Sequence, residues 1–155
     1  MGLKGRRLFL ALVLAAVVAL ALAGAASAAK LDVADRGGKP LSTTLTGAAE
    51  VPGPGDPDGI GTAKITVNPG QREICYELRV EDITLPASGA HIHVGTADES
   101  GDVVVPLTPP DESGSSSGCA DVSRELALAI IRNPENYYVN VHTSDFRSGA
   151  VRGQL

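Results

Sequence analysis

Tryptophan is absent, and the 155 residues hold only three Tyr and two Phe. So few rings cannot build the aromatic platform on which sugars or single-stranded nucleic acid stack. Basic residues are the minority, 13 Lys+Arg against 18 Asp+Glu. An acidic chain repels phosphate backbones, so nucleic acid and anionic membrane surfaces are not expected as partners. There is no G-x-S-x-G, no phosphate-binding loop and no dinucleotide-type glycine cluster, which removes the usual hydrolase and nucleotide-binding sites. Gly (18) and Pro (10) follow no three-residue period, so they mark turns and not a collagen-like helix. No internal repeat is evident.

The one long apolar run lies at the N-terminus. Lys4, Arg6 and Arg7 precede sixteen uninterrupted apolar residues, Leu8 to Ala23, and then Gly24-Ala25-Ala26-Ser27-Ala28. Basic head, apolar centre and A-x-A tail are the signature of a secretory signal peptide. Cleavage is expected after Ala28, with Ala29 as the neighbouring choice. The run is shorter than the ~20 residues a membrane span needs, so no membrane segment is expected after cleavage. Losing residues 1–28 removes three basic residues and no acid, so the net charge goes from −5 to −8. The reading is a protein that is secreted or held in the cell envelope. Residues 29–40, charged and Gly-rich, read as a linker to a domain spanning 41–155.

Two cysteines remain, Cys75 and Cys119. In an oxidising compartment an even count predicts one disulfide; the alternative is two free thiols or an intermolecular bond.

The rest of the chain alternates with period two. Ala63, Ile65 and Val67 share one face, as do Ile74, Tyr76, Leu78 and Val80, and Asn68-Pro69-Gly70-Gln71 between them reads as a type II turn. Further strands are predicted over 42–46, 90–94, 103–107, 137–142 and 150–155. Residues 108–118, with Ser115-Ser116-Ser117, read as a flexible surface loop. Ser123 is placed to cap a helix from Arg124 to Arg132, ended by Asn133-Pro134. Six or seven short strands with one short helix predict an all-β fold, an antiparallel Greek-key β-sandwich or barrel.

All three histidines fall on predicted strands. His91 and His93 are two apart and share a face. His142 ends another strand and shares a face with Tyr138 and Asn140. If those strands are neighbours, three imidazoles converge, a donor set suited to zinc, copper, iron or nickel with a position left open. Tyr138 and Asn140 would then support the ligands from behind. The competing reading is a polar, half-buried layer in which the imidazoles hydrogen-bond to Asn140, Tyr138 or backbone carbonyls. The acidic loops 56–59 and 98–102 lack EF-hand spacing and read as solvated tips. Arg152 reads as an ion-pair partner on an exposed strand face. No catalytic residue is assigned.

Several segments together resemble the CHRD domain, known from chordin and from many secreted microbial proteins. They are Leu45-Thr46-Gly47-Ala48-Ala49-Glu50-Val51-Pro52, Gly61-Thr62-Ala63, Ala90-His91-Ile92-His93-Val94-Gly95, Val139-Asn140-Val141-His142-Thr143, and Gly149-Ala150-Val151-Arg152-Gly153-Gln154-Leu155. The resemblance implies an extracellular β-sandwich or barrel without an assigned activity. That family is in turn distantly similar to copper/zinc superoxide dismutase, whose copper ligands include an H-x-H pair and a His on a late strand. His91, His93 and His142 match these. The dismutase site uses more histidines than the three present here, so its bridging ligand and zinc site have no counterpart. The resulting expectation is a monomeric, non-enzymatic extracellular binding or structural module with an unidentified cell-surface partner. The alternative is a copper- or zinc-binding protein with residual dismutase-like redox chemistry.

Overall fold

The structure, a computed structural model, describes residues 37–155. The signal segment and its cleavage site at Ala28, and most of the linker, lie outside the described residues. Eight strands are present: β1 (Lys39–Thr46), β2 (Ile60–Asn68), β3 (Glu73–Glu81), β4 (Gly89–Val94), β5 (Val103–Leu107), β6 (Ser115–Asp121), β7 (Tyr137–His142) and β8 (Val151–Gln154). One helix, α1 (Arg124–Arg132), precedes β7. None of the described helices is long and apolar enough to cross a membrane.

The strands form one antiparallel sheet in the order β5-β4-β7-β8-β1-β2-β3-β6. Its edges, β5 and β6, approach each other at the segment after β5. There the Ser116 hydroxyl donates to the Thr108 carbonyl (2.8 Å), and the Thr108 N–H donates to the Tyr76 hydroxyl (2.8 Å). The sheet is thus a nearly closed barrel. Around it β3, β6, β5 and β4 are consecutive, the Greek-key order.

Period-two alternation decides which side chains fill the interior. Leu45, Ile65, Ile74, Leu78, Ile92, Val139 and Val141 are all essentially inaccessible and form one core with their neighbours. The helix adds Ala127 and Ile130 to it. Its limits follow from local chemistry. The Ser123 hydroxyl accepts from the Leu126 N–H (3.0 Å), which satisfies a donor that the first turn leaves unpaired. Replacing Ser123 by Ala is expected to cost about 1 kcal/mol, read as a lower denaturant midpoint with an unchanged slope.

Three expectations need correction. Ser115-Ser116-Ser117 is not a flexible loop but the start of β6, pairing with β3 from Arg79↔Ser115 to Glu73↔Asp121. Its residues have weak strand propensity; the pairing and the cross-strand bond to Cys75 impose the conformation. The turn after β2 is also longer than a type II turn. Asn68 Oδ1 accepts from the Gly70 and Gln71 N–H groups (both 3.0 Å), and the left-handed residue is Arg72 (φ 57°), not Gly70. An Asn side chain mimicking a backbone carbonyl reorganises the turn. β1 begins at Lys39, inside the stretch read as linker.

Candidate metal centre

β4 and β7 are hydrogen-bonded neighbours, in register from Gly89↔His142 to Val94↔Tyr137. On β4 the residues facing away from the core are His91 and His93; on β7 they are Tyr138, Asn140 and His142; on β8, paired to β7 with Asn140↔Arg152, they include Arg152. This outer face would normally meet solvent. Instead His93 is 8%, Asn140 3%, Tyr138 2% and Arg152 1% exposed. It is a second, polar layer outside the apolar barrel.

The three imidazoles converge as the pattern predicts. One ring nitrogen of each lies within 4.8 Å of one from each of the others. His91 Nδ1 is 3.2 Å from His142 Nε2. Two of the rings have their other nitrogen engaged by a backbone carbonyl. His93 Nδ1 is 2.9 Å from the Gly101 oxygen, and His142 Nδ1 is 3.0 Å from the Arg147 oxygen. A carbonyl only accepts, so both Nδ1 atoms carry the proton and both Nε2 atoms keep a lone pair. His142 Nε2 faces His91. His93 Nε2 is buried and has no hydrogen-bond partner.

The electrostatics favour the neutral ring at His91 and at His142. Burial, followed by the charges of His142 and His93, holds His91 below the ordinary imidazole value, with Asn140 working against them. Burial also lowers His142; its bond to the Arg147 carbonyl opposes this and His93 adds to it. Neutral imidazole is the form that binds a metal. The residues therefore fit a transition-metal ion by donor type, and His93 and His142 fit it by tautomer as well. Two of the rings make the backbone-carbonyl bonds of a hydrogen-bonded layer, and the Nε2 of His93 is the ring nitrogen such a layer leaves buried without a partner.

Tyr138 lies against His93, ring centroids 4.7 Å apart and 9° from parallel. Asn140 stands opposite His91 in the β4/β7 register, and its Oδ1 is buried without a partner. Both supporting residues read from the sequence thus border the histidines. Cys75 and Cys119 are bonded to each other across β3 and β6.

Arg152 is not on an exposed face. It is buried, its Cζ 3.4 Å from the Tyr138 ring centroid, and its guanidinium donates to the Glu99 (2.9 Å) and Thr96 (2.6 Å) carbonyls. Among the described residues the ion pair is Arg79–Glu77, not one involving Arg152. The segment 95–102 folds over β8 and excludes water, which no pattern within β8 foretells.

Glu50 was missed altogether. It is 6% exposed, and burial pushes its carboxyl up to about 7, with attraction to Arg152 and a bond to the Val51 backbone offsetting part of this. Its Oε1 has no partner. A Cβ on Gly149, which has φ 146°, would overlap the Glu50 carboxyl, and one on Gly55 would sit 2.7 Å from Glu50 Cγ. Both glycines make room for the buried acid. The signal available was a lone Glu in Ala48-Ala49-Glu50-Val51, an apolar setting for a charge.

Comparison with protein families gives a match to the model of the CHRD domain over residues 41–155. No curated protein and no solved structure matches the chain.

Proposed function

Since the chain belongs to the CHRD domain family, we propose that it is an exported CHRD-domain binding module, not an enzyme, whose ligand is one transition-metal ion, copper or zinc. His91, His93 and His142 hold it. Export is supported by the basic, apolar and small-residue order of residues 4–28 and by the Cys75–Cys119 disulfide, a bond that persists in oxidising compartments.

The observation that carries the metal reading is the buried, unpartnered Nε2 of His93 beside two further imidazole nitrogens. Two of the three rings are oriented by backbone carbonyls, the arrangement by which proteins preset imidazole ligands. The ligand atoms would be His93 Nε2, His142 Nε2 and His91 Nδ1, with the His91 proton moving to its other nitrogen. Three neutral nitrogens leave the charge of a divalent ion uncompensated, which an acidic chain tolerates well. Among divalent ions copper is favoured over zinc by the general affinity order, and imidazole suits both.

The test is titration of metal-free exported protein with Cu²⁺ and Zn²⁺ against a competing chelator, followed by thermal unfolding. One equivalent is expected to bind and to raise the melting temperature in proportion to the logarithm of free metal. His93→Ala is expected to weaken binding more than about 100-fold, beyond the 10- to 100-fold typical of residues that only support a ligand. Wild-type protein whose melting temperature ignores both metals would end the metal reading.

A further inference from the structure

A closed circuit of contacts runs from β8 to the metal centre. Arg152 donates to the Thr96 and Glu99 carbonyls and places its Cζ over the Tyr138 ring, 3.4 Å from the centroid. Tyr138 presents its other partner ring, His93, at near-parallel stacking, and its hydroxyl accepts from the Gly101 N–H (3.2 Å). The Gly101 carbonyl, in turn, engages His93 Nδ1. The segment between is tied at its ends as well. The Val94 N–H donates to the Asp102 carbonyl (3.1 Å) and the Gly95 N–H to that of Asn136 (2.8 Å). Gln154 Nε2 donates to the Gly95 carbonyl (2.8 Å).

We propose that residues 95–102 form a strap whose Gly101 carbonyl selects the ligand tautomer of His93, and that Arg152 is the positioning residue that clasps the strap. Arg152 acts on metal affinity through the strap and Tyr138, without touching the ion. The affinity half of this rests on the metal reading; the tautomer half does not.

Three physical arguments support it. First, a guanidinium that is 1% exposed and has no carboxylate within ion-pair distance is costly to bury. No ion pair among the described residues involves it, so its place is explained by what it holds. Second, the task is specific to Arg. A planar fork can donate to two carbonyls while stacking on a ring; an ammonium cannot do both. Third, the strap has no freedom at its critical residue. A Cβ on Gly101 would overlap the Val94 carbonyl, so only Gly lets the chain approach β4 closely enough to reach His93.

The experiment uses Arg152→Lys and Tyr138→Phe in the exported protein, with two readouts. In metal-free protein, imidazole nitrogen NMR should show His93 of the wild type as a single Nδ1–H tautomer. Arg152→Lys should give a mixture of tautomers, while His142, held by the separate Arg147 carbonyl, stays unchanged. In the metal titration, Arg152→Lys should lose 10- to 100-fold in affinity, and that loss should vanish in a His93→Ala background, because coupled residues are non-additive. A general loosening of the fold would leave it in place and would disturb His142 too.

If wild type binds metal and Arg152→Lys binds equally well with a pure His93 tautomer, the clasp is overturned. If wild type binds no metal, the metal reading falls and the NMR result alone decides the strap. Should Arg152→Lys fail to fold, Tyr138→Phe decides. It keeps the ring and removes only the acceptor for Gly101, so a mixed His93 tautomer supports the strap and a pure one rejects it.

Discussion

Replacing Cys75 and Cys119 together by Ala is expected to cost roughly 3–4 kcal/mol, and to lower the melting temperature by on the order of 10 °C. The bond closes a loop with a sequence separation of 44. Its loss returns that loop's freedom to the unfolded chain, which is where most of the stabilisation arises in the chain-entropy account. A local effect adds to it. β6 is an edge strand of sequence Ser-Ser-Ser-Gly-Cys-Ala-Asp, and none of its residues belongs to the fully buried core. It is held by its ladder to β3, by Ser116 at the seam and by the bond at the Cys75↔Cys119 pair. Backbone amides of β6 should therefore exchange fastest among the strands in the variant. A stability loss under about 1 kcal/mol would show that β3–β6 pairing suffices alone.

Glu50→Gln is expected to stabilise the protein at neutral pH and to do nothing at pH 4. The folded carboxyl titrates at about 7 against an ordinary value of 4.5. An acid with a raised folded value binds its proton more tightly when folded. Below the unfolded value both states are protonated and no penalty exists. Between 4.5 and 7 the unfolded chain ionises first and stability falls with rising pH. Above that window the penalty is constant. The full shift corresponds to roughly 3 kcal/mol, and residual solvation reduces the expected gain for Gln to about 2 kcal/mol. Denaturant unfolding of both proteins from pH 4 to 8 measures it. A difference that does not grow across the window would mean that Glu50 is ionised in the fold, with Arg152 outweighing burial. The Gly149 and Gly55 backbones that enclose the carboxyl are the reason to expect the protonated form.

Much of this was legible in the residues. The alternation of Ala63, Ile65 and Val67, and of Ile74 through Val80, marked the strands because side chains on a pleated ribbon point alternately to opposite faces. Ser123 and Asn133-Pro134 bounded the helix at the residues observed, because capping and proline act within one turn. The pair His91/His93 shares a face for the same local reason. β6 was illegible, because its propensity points to loop and a partner strand outvotes it. Arg152 and Glu50 were illegible as buried charges. What covers Arg152 is the segment 95–102, separated from it by some 50 residues. What encloses Glu50 is Gly149, remote in the chain.

The sequence by itself determined every strand but β6, the helix, the face on which each histidine stands and the two cysteines available to bond, since these depend on periods of two or 3.6 and on neighbours in the chain. Only the tertiary structure decided that β4 and β7 lie side by side, that His142 meets His91 across 51 residues, and that a strap and a buried guanidinium hold His93. Those outcomes depend on strand order and register around a closing barrel. That closure is a global compromise of core packing and hydrogen bonding, and no local stretch of residues encodes it alone.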